Sequence, residues 1–142
     1  ICDIINSGGR MKVILALIAD YANVSQEGKL NILGIFDRIN AASIPVIHPQ
    51  MQLIITLEAD RSEAEREHKL EIELIDMDGN KLFSVTGNLK FGHPPPGEKI
   101  KLNHILQFNN LKFEKFGIYE FKILINNEVR SSIPFSVVER KS

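Results

Sequence analysis

Four histidines, His48, His68, His93 and His104, are the residues of this chain best suited to hold a metal or move a proton. A chelating pair on one element needs its imidazoles two or four positions apart. None of the four stands at that spacing, and the single cysteine, Cys2, has no second thiol beside it. No metal and no cofactor is expected. Nucleophilic hydrolysis has no better footing: there is no Gly-x-Ser-x-Gly elbow and no cysteine placed to act with a histidine. No glycine-rich loop leads from a strand into a helix to cradle phosphate. Carboxylates are dense from Glu58 to Asp78, but a run of charge reads as a solvated surface. No catalytic residue is assigned.

Two weaker constellations remain. Asp20, Lys29 and Asp37 come from the first two expected strands and would form a polar cluster at one end of a hairpin. The competing role for them is to brace that hairpin. His93, Pro94 and Pro95 open the run His93-Pro94-Pro95-Pro96, which favours polyproline geometry and would suit a groove that reads it. A rigid connector between sheets explains the same run. These six are the candidate binding residues.

The elements that position them follow a period of two. Met51, Leu53, Ile55 and Leu57 alternate with Gln52, Ile54 and Thr56; His68, Leu70, Ile72 and Leu74 alternate with Lys69, Glu71 and Glu73. Such alternation puts one sheet face in the core and the other in water. Strands are expected at Lys12–Ala22, Leu30–Asn40, Gln50–Ala59, Lys69–Ile75, Lys81–Phe91, Lys99–Phe108, Ile118–Ile125 and Val129–Val138. Asp78-Gly79 and Asn126-Asn127 mark tight hairpins. Gly34 inside the second strand suggests a bulge. Ala41–Pro49 reads as a crossover loop, and Pro134 suggests an edge or a bulge in the last strand. Arg61–Glu67 offers no apolar face. The expected fold is an all-β, two-sheet antiparallel β-sandwich of about eight strands, immunoglobulin-like or jelly-roll. Phe116-Gly117-Ile118-Tyr119-Glu120-Phe121 supports the former, with Tyr119 placed to brace a corner through its hydroxyl.

At 142 residues the chain suits one domain with a sizeable core. Residues 1–10 have no initiator and contain Ser7-Gly8-Gly9; they read as an N-terminal extension or a remnant foreign to the domain. Residues 11–139 form the sandwich, and residues 140–142 a polar tail. No apolar run reaches the roughly 18 residues of a membrane helix. A lone thiol suits a reducing compartment, so a cytoplasmic location is expected.

Met11 to Ile39 reads MKVILALIADYANVSQEGKLNILGIFDRI. It resembles the opening of a bacterial family of small proteins of unknown function, through Ala19, Asp20, Gly28, Lys29, Leu30, Ile32, Gly34, Phe36 and Asp37. The resemblance implies a compact all-β domain of about this size. It implies no activity, so no catalytic role is carried over.

Charge is sorted along the chain. Residues 58–80 hold nine acids and three bases, a net of −6, while residues 88–116 hold five lysines and two acids, a net of +3. Sorted charge of this kind supports association between copies or with a charged partner. Ile54, Ile75, Ile105 and Leu124 fall on outward positions and would extend an apolar surface. The expected function is a non-enzymatic binding or assembly module acting through a sheet edge or face, with a protein or a second copy as partner, as a homodimer. The alternative is an enzyme whose small site lies in the loops around Pro45–Pro49 and His93–Gly97. A third reading is single-stranded nucleic-acid binding, with Phe113 and Phe116 exposed beside Lys112 and Lys115. The net charge of −1 argues against it, and no nucleic acid or membrane partner is expected.

Overall fold

The computed structural model describes residues 11–141; residues 1–10 and the end of the polar tail lie outside the described residues. Nine strands follow in order: β1 (Met11–Val24), β2 (Leu30–Ile35), β3 (Arg38–Ala41), β4 (Val46–Ala59), β5 (His68–Asp76), β6 (Lys81–Leu89), β7 (Ile100–Phe113), β8 (Gly117–Ile125) and β9 (Glu128–Glu139). They build two sheets, ordered β2-β1-β4-β7 and β3-β9-β8-β5-β6. Among the described residues no helix is long and apolar enough to cross a membrane.

The expected sandwich is what the alternation produces. Met51, Leu53, Ile55 and Leu57 of β4 face Leu70, Ile72 and Leu74 of β5 and Phe121, Ile123 and Ile125 of β8 across one core. A chain of rings runs through it: Phe108, Phe121, Phe135, Tyr119 and Phe113, with neighbouring centroids 4.8–5.8 Å apart. The Tyr119 hydroxyl donates to the Lys115 carbonyl at 2.7 Å, so the corner expected from the sequence is made.

Four expectations change. The second strand breaks into β2 and β3 after Gly34, whose φ of 75° turns the chain, and β3 joins the opposite sheet. There it pairs parallel with β9, Arg38 beside Ser136 and Ala41 beside Glu139. The crossover loop shrinks, because β4 already begins at Val46. The charged run after β4 is not wholly solvated: a short 3-10 turn at Arg61–Glu63 buries Glu63. Nor is Ile54 outward in water. Beyond Ala19, β1 leaves β4 and continues with β2 alone. Leu30 and Ile32 then pack with Leu15, Leu17, Ile54 and Ile105 as a second apolar cluster, and Ile54 is fully buried. The Ala22 N–H, having lost a strand partner, donates to Gln52 Oε1 at 2.7 Å.

Pro134 sits where β9 has no second strand neighbour among the described residues, since β3 reaches only Ser136–Glu139. The hairpins form at the expected residues. Asn126 and Asn127 have φ of 52° and 70°, and Gly79 has 84°. In the latter turn Asp76 Oδ1 accepts from the N–H groups of Asp78 and Asn80, both at 2.9 Å. Lys115 Nζ lies 2.7 Å from Asp78 Oδ2 and 3.3 Å from Asp76 Oδ2. Burial works against ionising Asp76, but the two N–H donors and the Lys115 ammonium outweigh it and hold the carboxyl below its ordinary value. A depressed carboxylate stabilises above its unfolded pKa, and that contribution is lost as pH falls through the native one. Thermal midpoints measured from about pH 5 to about pH 2 are expected to fall less steeply for Asp76→Asn than for the unaltered protein.

Candidate functional site

Asp20, Lys29 and Asp37 do not share one place. Asp20 lies on β1 opposite Gly34; a Cβ on that glycine would fall 2.5 Å from Asp20 Oδ2, so only glycine lets the carboxylate lie there. Lys29 stands in the turn at the hairpin tip, five residue pairs further on, about 16 Å at strand rise. Asp37 is exposed in the link between β2 and β3, and its carbonyl accepts from the Ser136 N–H at 3.0 Å. The hairpin register holds Lys29 and Asp20 apart.

Other residues gather around Asp20. With Phe36, Arg38, Ile39, Asn40, His48 and Arg140 it lines a cavity of about 360 Å³. The parallel pair builds one wall. Ile39 and Ala41 are buried, so Arg38 and Asn40 alternate outward; in the same register Arg140 falls beside position 42 and shares that face. The Arg140 N–H donates to the Ala41 carbonyl at 2.7 Å, which fixes the end of the row. The His48 ring stands 5.8 Å from that of Phe36. Burial lowers its pKa, with the Asp20 carboxylate pulling the other way, so the imidazole is neutral at neutral pH. His48 Nε2 is buried with no hydrogen-bond partner among the described residues. The alternation of Arg38 and Asn40 with Ile39 and Ala41 is readable in the sequence. The place of Arg140 is not, because it depends on a strand pairing about a hundred residues distant in sequence.

His93, Pro94 and Pro95 form the start of the loop after β6. His93 and Pro94 line a cleft of about 200 Å³ with Phe91 and Ile100; Pro95 and Pro96 are exposed. The loop is anchored by Phe91, buried with its ring 5.4 Å from that of His68. Among the described residues no three His, Cys, Asp or Glu side chains converge as a metal-binding group.

The opposite side of the sandwich is open. β6 ends one sheet and β7 the other, and each has a single strand neighbour among the described residues. Between them lies a slot of about 140 Å³ lined by Leu70, Ile72, Val85, Thr86, Gly87, His104 and Leu106. Burial lowers the His104 pKa, so the slot carries no cation at neutral pH. Along β6, residues Ser84 to Asn88 are exposed without interruption. The rings wanted for base stacking are elsewhere: Phe113 is fully buried and Phe116 partly so.

Fold and surfaces together define a β-sandwich domain with open sheet edges and a polar cavity beside β3. Residues 14–138 match the profile of a family of unknown function (DUF6941), and the chain belongs to that family. No curated protein matches it. Among solved structures it is similar to the Pseudomonas fluorescens alkylpurine DNA glycosylase AlkC bound to DNA containing an abasic site analog, with a TM-score of 0.53 and 12% identity. The match covers 92% of this chain and 31% of that one, so this chain spans about a third of the glycosylase. At this identity the likeness is one of fold. It nevertheless overturns the expectation that no nucleic acid is involved, because the fold occurs in a protein solved on DNA. The physical fault in that expectation is that a net charge of −1 averages over the chain and conceals the lysine-rich stretch from Lys90 to Lys115.

Proposed function

We propose that this protein is an assembly module of the bacterial cytoplasm, immunoglobulin-like in strand order, in which β6 pairs antiparallel with β6 of a second copy. The observation that carries the reading is the β6 edge, which has no second strand partner among the described residues. Exposed edges are normally blunted by shortness, charge, proline or bulges. β2 has six residues and a turn at Gly34; β3 has four; β7 carries Lys101 and Lys112 and a left-handed Asn110. β6 has no charge and no proline from Leu82 to Leu89. Its one irregularity is a register shift near Leu82, at the Lys81 end.

A two-fold axis through Val85 makes the pairing self-complementary. Val85 meets Val85, Ser84 meets Thr86, and Phe83 covers Gly87, where no Cβ stands. No charge faces another. The added strand would also roof the slot beside Val85 and Gly87.

Sedimentation equilibrium of the full chain tests this. The unaltered protein is expected to dimerise. The double variant Ser84→Lys with Thr86→Lys places lysines opposite lysines on an exposed face and is expected to weaken the dimer at least about tenfold. Ser84→Lys with Thr86→Glu puts opposite charges across the axis and is expected to restore it. A monomer at every concentration, or a dimer indifferent to these changes, would overturn the reading. Retention of a single-stranded oligonucleotide by such a monomer would move the function to nucleic acid.

A further inference from the structure

We infer that the cavity lined by Arg38, Asn40, Arg140, Asp20 and His48 is a binding site for a small molecule that carries an oxyanion, a phosphoryl or carboxylate group. It lies beside β3, at the opposite end of its sheet from β6, so the inference does not depend on the assembly reading.

The donor set points there. Among the described residues no carboxylate lies within salt-bridge distance of Arg38 or Arg140, and neither guanidinium makes a hydrogen bond to protein. Two forks of five N–H donors each therefore border the same hollow with no protein acceptor among the described residues. A guanidinium fork matches the two oxygens of a carboxylate or phosphoryl group, and its bonds to such a group are charge-assisted. Asn40 stands between the two arginines on the same face and adds an amide donor. The row is held by strand pairing, not by loop contacts: the Ser136 N–H donates to the Asp37 carbonyl just before Arg38, and the Arg140 N–H to that of Ala41. Sites carried on paired strands hold their geometry better than sites on loops.

Asp20 sets the other end. Two guanidiniums against one carboxylate leave the hollow with a net positive charge, so the oxyanion binds at the arginines, while Asp20 accepts a hydroxyl or amine of the same ligand. Gly34 keeps that carboxylate in place, since a side chain there would displace it. A volume of about 360 Å³ suits a small metabolite and not a polymer.

The test is calorimetric titration of the full chain with inorganic phosphate and, separately, with acetate, at constant ionic strength kept with chloride. Saturable binding of at least one anion is expected, and the tighter of the two tells which oxyanion the site takes. Arg38→Gln and Arg140→Gln are each expected to weaken it about tenfold or more. Arg130→Gln, an arginine outside the cavity, serves as the control and is expected to leave binding unchanged. Equal losses in all three variants, or no saturable binding of either anion, would overturn the inference.

Discussion

Phe121→Ala is expected to remove about 3–5 kcal/mol of folding free energy, the range for a buried phenyl truncated to a methyl. Phe121 is fully buried on β8, a central strand with β9 on one side and β5 on the other. Its ring stacks on Phe108 from the facing sheet at 5.4 Å and on Phe135 from β9 at 5.5 Å. Removing it breaks the ring chain and leaves a cavity that strands pinned on both sides cannot close. Domains of this size are stable by about 5–15 kcal/mol, so a large part of the total is at stake. Urea titration checks it: the midpoint should drop with the slope unchanged. Ile118→Ala, three residues away on the same strand but 55% exposed, should stay within about 0.5 kcal/mol of the unaltered protein.

His68→Ala is expected to cost about 3 kcal/mol, through unpaired polar groups as well as lost packing. His68 opens β5 and is buried. Its Nδ1 accepts from Asn126 Nδ2 at 3.0 Å, and Nε2 donates to the Glu63 carbonyl at 3.2 Å. That pattern follows from Asn126, whose Oδ1 is already taken by the Lys69 N–H at 3.0 Å. Glu63 Oε1 lies 3.6 Å from the same Nε2. One imidazole thus ties the acidic turn after β4 to the hairpin joining β8 and β9. Alanine would leave the Glu63 carbonyl and the Asn126 amide without their partner. A double-mutant cycle with Asn126→Ala, read by thermal unfolding, should return a coupling of about 1 kcal/mol. Additivity would show that the two residues act independently.

These two effects fall on residues that local sequence describes very differently. Phe121 is legible: Tyr119, Phe121, Ile123 and Ile125 alternate with polar neighbours, and a local period is enough to assign a face. The hairpins at Gly79 and at Asn126-Asn127 are legible for the same reason, because their signal lies within a few residues. Glu63 is not. A carboxylate among Asp60, Glu65 and Glu67 has every local mark of a surface residue, and its burial follows from the short 3-10 turn folding under His68, which no local period announces. Ile54 misleads in another way. Alternation places it on the outer face correctly, but alternation carries no information about the β1–β2 hairpin that covers that face. The polar cavity is half legible. Asp20 belongs to it as a candidate from sequence, whereas Lys29 and Asp37 are its neighbours only along the chain, and the residues beside it come instead from β3 and the end of β9. Non-local pairing selects such partners, and periodicity cannot see it.

The short parallel ladder between β3 and β9 has a consequence for how the chain is made. Residue 38 leaves the ribosome nearly a hundred positions ahead of Ser136, its eventual neighbour. Until the last strand emerges, the nascent amino-terminal third has no seat in the second sheet, and the edge of β3 stays unpaired. Topologies closed by such distant partners fold slowly and expose sticky intermediates. Completion of this fold therefore waits for β9, and a chain cut short before Ser136 would be left with an unfinished sheet.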